Sequence, residues 1–169
     1  MKIELKKISF NERMSDETNC FVADLYINGK KVGSCDNGGR GGPTDYHGDS
    51  KEANVLIKEA EAYCKSLPPH RSEELNFEYP QSLESVIDDL LDAHLKGKDE
   101  AKRMKMYDKA ICFGIPNGCS YRQVYWKGKI LKQIDKISLQ RAYNDVKAKL
   151  GKGEVILNVN NLSALGVNL

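Results

Sequence analysis

Between residues 21 and 27 the chain reads FVADLYI, in which Phe21, Ala23, Leu25 and Ile27 alternate with Val22, Asp24 and Tyr26. A period of two is that of a strand with one face more apolar than the other. Asn28-Gly29 then supplies two residues suited to the positive φ of a type I′ turn, and KKVGSC returns as the partner strand. Upstream, IELKKISF (residues 3–10) carries Ile3 and Leu5, then Ile8 and Phe10, and its phase slips across Lys6-Lys7. Such a slip predicts a β-bulge.

The period then changes. Ala53, Leu56, Ile57, Ala60, Tyr63 and Leu67 recur at helical spacing, opened by an Asp49/Glu52 capping box and closed by Pro68-Pro69-His70. A second helix starts near Ser82 with Leu83, Val86, Ile87, Leu90 and Leu91 on one stripe. DEAKRMKMYDKAI (residues 99–111) reads as a third, with Ala101, Met104, Tyr107, Ala110 and Ile111 inward and Lys102, Lys105 and Lys109 outward. After the turn signals of GIPNGCS, YRQVYW, Lys127-Gly128 and KILKQI predict a second hairpin. Ser138 opens a last helix (Leu139, Ala142, Tyr143, Val146, Leu150), Gly151 closes it, and EVILNV reads as a final strand. The fold class expected is α+β, with no βαβ alternation or internal repeat.

A chain of 169 residues, 40% hydrophobic and 30% charged, has enough apolar surface for one domain with a real core. The expected organisation is a single domain over 1–169, with an acidic β-β-β-α half (1–67) on which a helical, basic half (80–169) packs. MKIELKKISF has no apolar signal-peptide region, and no window approaches 18 consecutive apolar residues, so a cytoplasmic protein without membrane contact is expected. The five cysteines form no C-x-x-C pair and are expected to be reduced and mostly packed.

The net charge of +2 conceals an uneven distribution. Residues 1–95 carry 11 Lys+Arg against 18 Asp+Glu, whereas residues 96–152 carry 15 against 5. A basic surface of that kind suits an anionic partner.

Two stretches carry candidate chemistry. The first is SCDNGGRGGPTDYHGDSKE (residues 34–52), where Gly38, Gly39, Gly41 and Gly42 surround Arg40. Glycines can adopt positive φ and let backbone N–H groups converge on an anion, with Arg40 and the following helix N-terminus as the positive charge. The stretch fits neither the Walker A pattern nor G-x-G-x-x-G. Thr44, Asp45, Tyr46 and His47 follow, and in an extended segment Asp45 and His47 point the same way, as an acid and a base would. No nucleophile with a base and an orienting third group accompanies them, so no catalytic motif is assigned. The three scattered histidines, with no His-x-x-x-His pair, indicate neither a metal site nor a cofactor.

The second is the basic segment. Lys102, Lys105 and Lys109 share a helix face, and Arg122, Lys127 and Lys129 mix with Tyr121, Tyr125 and Trp126. Such side chains make phosphate contacts and stack on bases.

The order of elements over residues 1–67 resembles the three-stranded-sheet DNA-binding domains of some integrases and plant transcription factors, although closely spaced basic residues on the sheet are sparse here. KIELKKISFNERMSDETNCFVADLYINGKKVG, with GRGG and TDYH and the ending GEVILN, resembles a group of small uncharacterised proteins carried by phages and mobile elements of gut bacteria. That resemblance spans most of the chain and implies a genomic setting without an activity. The expectation is a non-enzymatic accessory protein, a candidate for counter-defence, that binds a host protein or a phosphate-bearing ligand, the ligand at Gly38, Gly39, Arg40, Gly41 and Gly42 with Thr44, Asp45, Tyr46 and His47 beside them. The alternatives are a nucleic-acid-binding module over residues 102–129 and an enzyme using Asp45, Tyr46 and His47.

Overall fold

The computed structural model describes residues 1–72, 77–118 and 120–169. The chain is α+β and divides into two compact units, residues 1–96 and 97–169, with the division inside one long helix.

In the first unit β1 (Ile3–Phe10), β2 (Phe21–Ile27), β3 (Lys30–Asn37) and β4 (Asp45–Gly48) form an antiparallel sheet in that order. The predicted hairpin is present, with Asn28 and Gly29 at φ of 50° and 81°. The predicted bulge is also present. The β1–β2 register shifts between Lys6 and Ser9, and Lys7 takes φ 50°. Phe21, Ala23, Leu25 and Ile27 are all buried, and α1 (Lys51–Lys65) covers them with Ala53, Ile57, Ala60 and Cys64. Ser50, not Asp49, caps this helix, its hydroxyl accepting from the Ala53 N–H at 3.1 Å. Asp49 is held back because its own N–H donates to the Val32 carbonyl at 2.9 Å.

Two features of this unit depart from the sequence reading. Asp45–Gly48, read as loop, is an edge strand that pairs Asp36 with Asp45, Cys35 with Tyr46 and Ser34 with His47. Four residues with two charged or polar outward positions are too short a run for a period to register. Beyond α1, β5 (His70–Ser72) and β6 (Phe77–Tyr79) form a separate two-stranded ladder.

The two helices expected between residues 82 and 111 are one, α2 (Leu83–Tyr107), whose early turns add Leu83, Ile87 and Leu91 to the core of the first unit. Gly97 does not break it. A lone glycine among good helix formers costs only about 1 kcal/mol relative to alanine. The register of the single helix leaves Ala101 and Met104, expected inward, exposed.

Ala110 and Ile111, also assigned to that helix, open β7 (Ala110–Gly114), the central strand of the second unit. β8 (Arg122–Tyr125) pairs on one side of it. The return expected for the second hairpin is therefore not a strand. Its turn forms, with Gly128 at φ 74° and the Lys129 N–H on the Trp126 carbonyl at 3.1 Å, but β7 already occupies the inner edge of β8. Leu131 instead enters the core on a short 3₁₀ turn, its N–H on the Asp108 carbonyl at 2.9 Å.

Asp135 caps α3 (Lys136–Ala148) by accepting from the Ser138 N–H at 2.9 Å, so the helix starts two residues before Ser138. The final strand is only β9 (Val155–Ile156), on the other side of β7, and α4 (Val159–Ala164) follows. Two residues past the strand, Asn158 turns its amide into the core. Its Oδ1 accepts from the Cys112 N–H at 3.0 Å, and its Nδ2 donates to the Tyr107 and Ala110 carbonyls at 2.9 and 2.8 Å. Ile111, Leu131, Leu139, Tyr143, Val146 and Leu162 pack around this frame.

Candidate functional site

The glycine-rich loop joins β3 to β4 and is held tightly. Asn37, 7% exposed, stands at its base. Its Oδ1 accepts from the Thr18 hydroxyl and the Gly39 N–H, both at 2.8 Å. Its Nδ2 donates to the Gly42 carbonyl at 3.0 Å and to Thr44 Oγ1 at 3.2 Å. The Gly39 carbonyl accepts from the Asp16 and Glu17 N–H groups at 2.9 and 3.1 Å, and the Gly41 N–H donates to Thr18 Oγ1 at 3.3 Å.

Gly39 and Gly41 take φ of 81° and 79°, and both face close neighbours. A Cβ at Gly39 would stand 2.1 Å from the Met14 carbonyl oxygen, and one at Gly41 would stand 2.1 Å from Glu17 Oε2. Two of the four glycines thus take the positive φ expected of the loop, and at these two the close packing is a feature the sequence reading did not include. Their amides, expected to converge on an anion, donate within the protein instead. A loop so closely bonded is not a slack tether.

The residues after the loop separate by face. Thr44 is buried, its N–H on Glu84 Oε1 at 3.1 Å and its hydroxyl on Asp88 Oδ1 at 2.7 Å. Burial, and then the carboxylates of Glu84, Asp92 and Asp89, push the Asp88 carboxyl above its usual range. Tyr46 is half-buried with its hydroxyl on Glu61 Oε1 at 2.8 Å, and burial followed by that hydrogen bond pushes the phenol up to about 12. Asp45 and His47 lie exposed on the opposite face of β4. Tyr46 thus does not join them in one site.

Arg40, Gly38 and Gly42 are exposed. Arg40 lines a cleft of about 420 Å³ with Arg13, Met14, Ser15, Asp16 and Glu17. Among the described residues, neither arginine lies within 4.0 Å of a carboxylate. Arg13 comes from another part of the chain and was not singled out by the sequence. The bonds from Asp16 and Glu17 to Gly39 bring it beside the loop.

The basic segment forms a second cleft, of about 390 Å³, between the end of α2 and the turn after β8. Met106, Tyr125, Trp126 and Ile130 give it aromatic and aliphatic walls, and Lys109 and Lys129 are its cations. No acidic residue lines it. Tyr125 is 63% exposed, whereas Trp126 is half-buried and also packs against the core of this unit.

Of the cations and aromatics singled out in the basic segment, Lys109, Tyr125, Trp126 and Lys129 meet in this cleft. Lys127 is exposed in the adjoining turn, and Lys105 is exposed four residues before Lys109. Lys102 and Arg122 are engaged elsewhere. Lys102 pairs with Asp99 at 3.0 Å. Arg122 pairs with Glu154 and stacks over the Phe113 ring at 4.7 Å. The Gly151 N–H, and secondarily Arg122, hold the Glu154 carboxyl below the usual range. Met106, Gln123 and Ile130 were not singled out because the cleft depends on β8 pairing with β7, which the expected hairpin concealed.

Cys35, Cys64 and Cys112 are buried and Cys20 is half-buried, while Cys119 lies outside the described residues. Burial pushes the Cys35 thiol up to about 12 and Cys112 up to about 11, which suits packing and not nucleophilic chemistry. Among the described residues no group of three or more His, Cys, Asp or Glu is arranged to hold a metal ion. Nor is any helix among them long and apolar enough to cross a membrane. Comparison with protein-family models, curated proteins and solved structures finds no match to this chain.

Proposed function

We propose that this protein is a non-enzymatic nucleic-acid-binding protein acting in the cytoplasm, and that its C-terminal unit makes the contact. The observation that carries this reading is the aromatic-lined cleft with lysines at its edge and no carboxylate in its lining. Among the described residues, Lys105, Lys109, Lys127 and Lys129 have no carboxylate within 4.0 Å, so their charge is available to phosphates. Residues 97–169 carry 14 Lys+Arg against 6 Asp+Glu, which favours approach of a polyanion from a distance. The resemblance to small proteins of phages and mobile elements supplies the setting. An accessory protein there can act by occupying nucleic acid that a host defence factor needs.

Fluorescence anisotropy with labelled oligonucleotides over a salt series tests this. Lys109→Gln and Lys129→Gln are each expected to weaken binding to all sequences alike and to lower the log–log salt slope by about 0.7 to 0.9. Absence of binding to RNA and DNA, single- and double-stranded, at low salt would overturn the proposal.

A second reading, binding of a nucleotide phosphate in the first unit, is favoured by Arg13 and Arg40 lining one cleft without carboxylate partners. Asp16 and Glu17 on the same wall suit a ligand with its negative charge at one end and N–H donors at the other. Titration calorimetry with a nucleotide panel, including cyclic nucleotides, is expected to show binding lost in Arg40→Ala and weakened in Arg40→Lys, which lacks the planar fork. Equal binding by wild type and Arg40→Ala would remove this reading.

A further inference from the structure

We infer that the cleft of the C-terminal unit receives an unpaired nucleobase, so that the protein selects single-stranded over double-stranded nucleic acid. The inference rests on the nucleic-acid reading above and specifies what that site recognises. A surface that only grips phosphates needs cations and no apolar recess. This one has both.

Tyr125 ends β8, an outer strand of its three-stranded sheet, and keeps 63% of its surface in solvent. Trp126 follows, and the walls continue with Met106 and Ile130. A volume of about 390 Å³ falls in the range of small-ligand sites, roughly 300 to 1,000 Å³, and so admits a base with part of its sugar. Every base has a π-face that stacks on an aromatic ring, and such stacking tolerates any sequence. In a duplex those faces are covered by neighbouring pairs, so only a single strand, or a base displaced from a helix, can use the cleft.

The charges agree with this occupant. Lys109 and Lys129 are placed to meet the phosphates flanking an inserted base, and Gln123 offers a donor and an acceptor to its edge. An apolar peptide would leave both lysines without a use, and a basic peptide would be repelled.

Trp126 is the only tryptophan of the chain and lines the cleft, so its fluorescence reports occupancy directly. The test titrates wild type with single-stranded DNA, single-stranded RNA, the corresponding duplexes, and polyphosphate, which has charge but no bases. Quenching by either single strand, at an affinity above that of the duplex and without quenching by polyphosphate, is the expected result. The two single-strand arms separate RNA from DNA.

Tyr125→Ala is expected to weaken single-strand binding roughly tenfold or more while leaving duplex affinity and the salt slope unchanged. Tyr125→Phe keeps the ring and should bind like wild type, which separates loss of stacking from loss of fold. If duplex binds as tightly as single strand and Trp126 does not respond, the base-binding inference falls while phosphate contact stands. If nothing binds in any arm, the nucleic-acid reading itself falls and this inference with it.

Discussion

The sheet of the first unit buries one face and opens the other to water, whereas the central strand of the second unit is buried along its whole length. Along β2 the even positions Val22, Asp24 and Tyr26 are exposed or half-exposed while Phe21, Ala23, Leu25 and Ile27 are inside. The outer face is polar, with Asp24 held between Lys7 at 3.3 Å and Lys31 at 2.8 Å. All five residues of β7 are buried. Alternation fixes the register of the first sheet, since a slip of one residue would put Leu25 in water and Asp24 in the core. β7 has no such instruction, and its neighbours are placed instead by a specific polar anchor, Asn158.

The largest expected effects follow from this contrast. Leu25→Ala removes a fully buried side chain and should cost about 2 to 5 kcal/mol by equilibrium denaturation. Val22→Ala, on the exposed face of the same strand, should stay within about 0.5 kcal/mol. In β7 no neighbouring position offers that tolerance, and Cys112→Ser, which puts a hydroxyl where a thiol is buried, should cost about 1 to 3 kcal/mol. An unchanged midpoint for Leu25→Ala, or an equal cost for Val22→Ala, would mean that the face assignment of β2 is wrong.

The same contrast explains what could be read in advance. β1, β2, β3 and α1 were legible because a period of two, an Asn-Gly turn and a helical stripe each act over a few residues. The merged α2 was not, because Gly97 resembles a boundary yet a continuous helix tolerates it. Ala110 and Ile111 satisfy the helical spacing from Tyr107 equally well, so only burial of the whole run Ala110–Gly114 identifies a strand. The C-terminal cleft was half legible. Its lysines and aromatics were visible as types, but its walls depend on the pairing of β8 with β7, which no local period announces. Arg13 beside Arg40 was not legible at all, since backbone bonds to the Gly39 carbonyl join them and carry no mark of side-chain identity.

A smaller effect separates two buried asparagines. Asn158 serves the Cys112 N–H and the Ala110 carbonyl in the interior, and these have no ready replacement once the amide is gone. Asn158→Ala should therefore cost about 2 to 4 kcal/mol. Asn37 makes more bonds, but its partners belong to a loop with exposed members that water can reach, so Asn37→Ala should cost about 1 to 2 kcal/mol. It should also loosen the loop that carries Arg40, seen as faster amide exchange at Gly39 and Gly41. If Asn37→Ala proves the costlier of the two, Asn158 is not the anchor of the second sheet.

The smallest effects differ in sign between the units. Asp88 has its carboxyl pushed up by burial and by neighbouring carboxylates, so ionisation opposes folding there. Its stabilising contribution is present below the ordinary carboxyl range, where it is protonated in both states, and is lost as pH rises through the raised value. Glu154 is the reverse. Its carboxyl is held down by the Gly151 amide and Arg122, so its contribution is present above the ordinary range and is lost as pH falls through the lowered value. Asp88→Asn keeps an oxygen for the Thr44 hydroxyl and removes the charge, so at neutral pH its thermal midpoint should lie above that of wild type. Glu154→Gln should lie below. Both gaps should close as the pH is lowered through the carboxyl range, and both should be smaller than the loss from either asparagine. A midpoint lowered at neutral pH by Asp88→Asn would show that the ionised carboxylate supports the fold through its bond to Thr44, and the burial-dominated account of that residue would have to be abandoned.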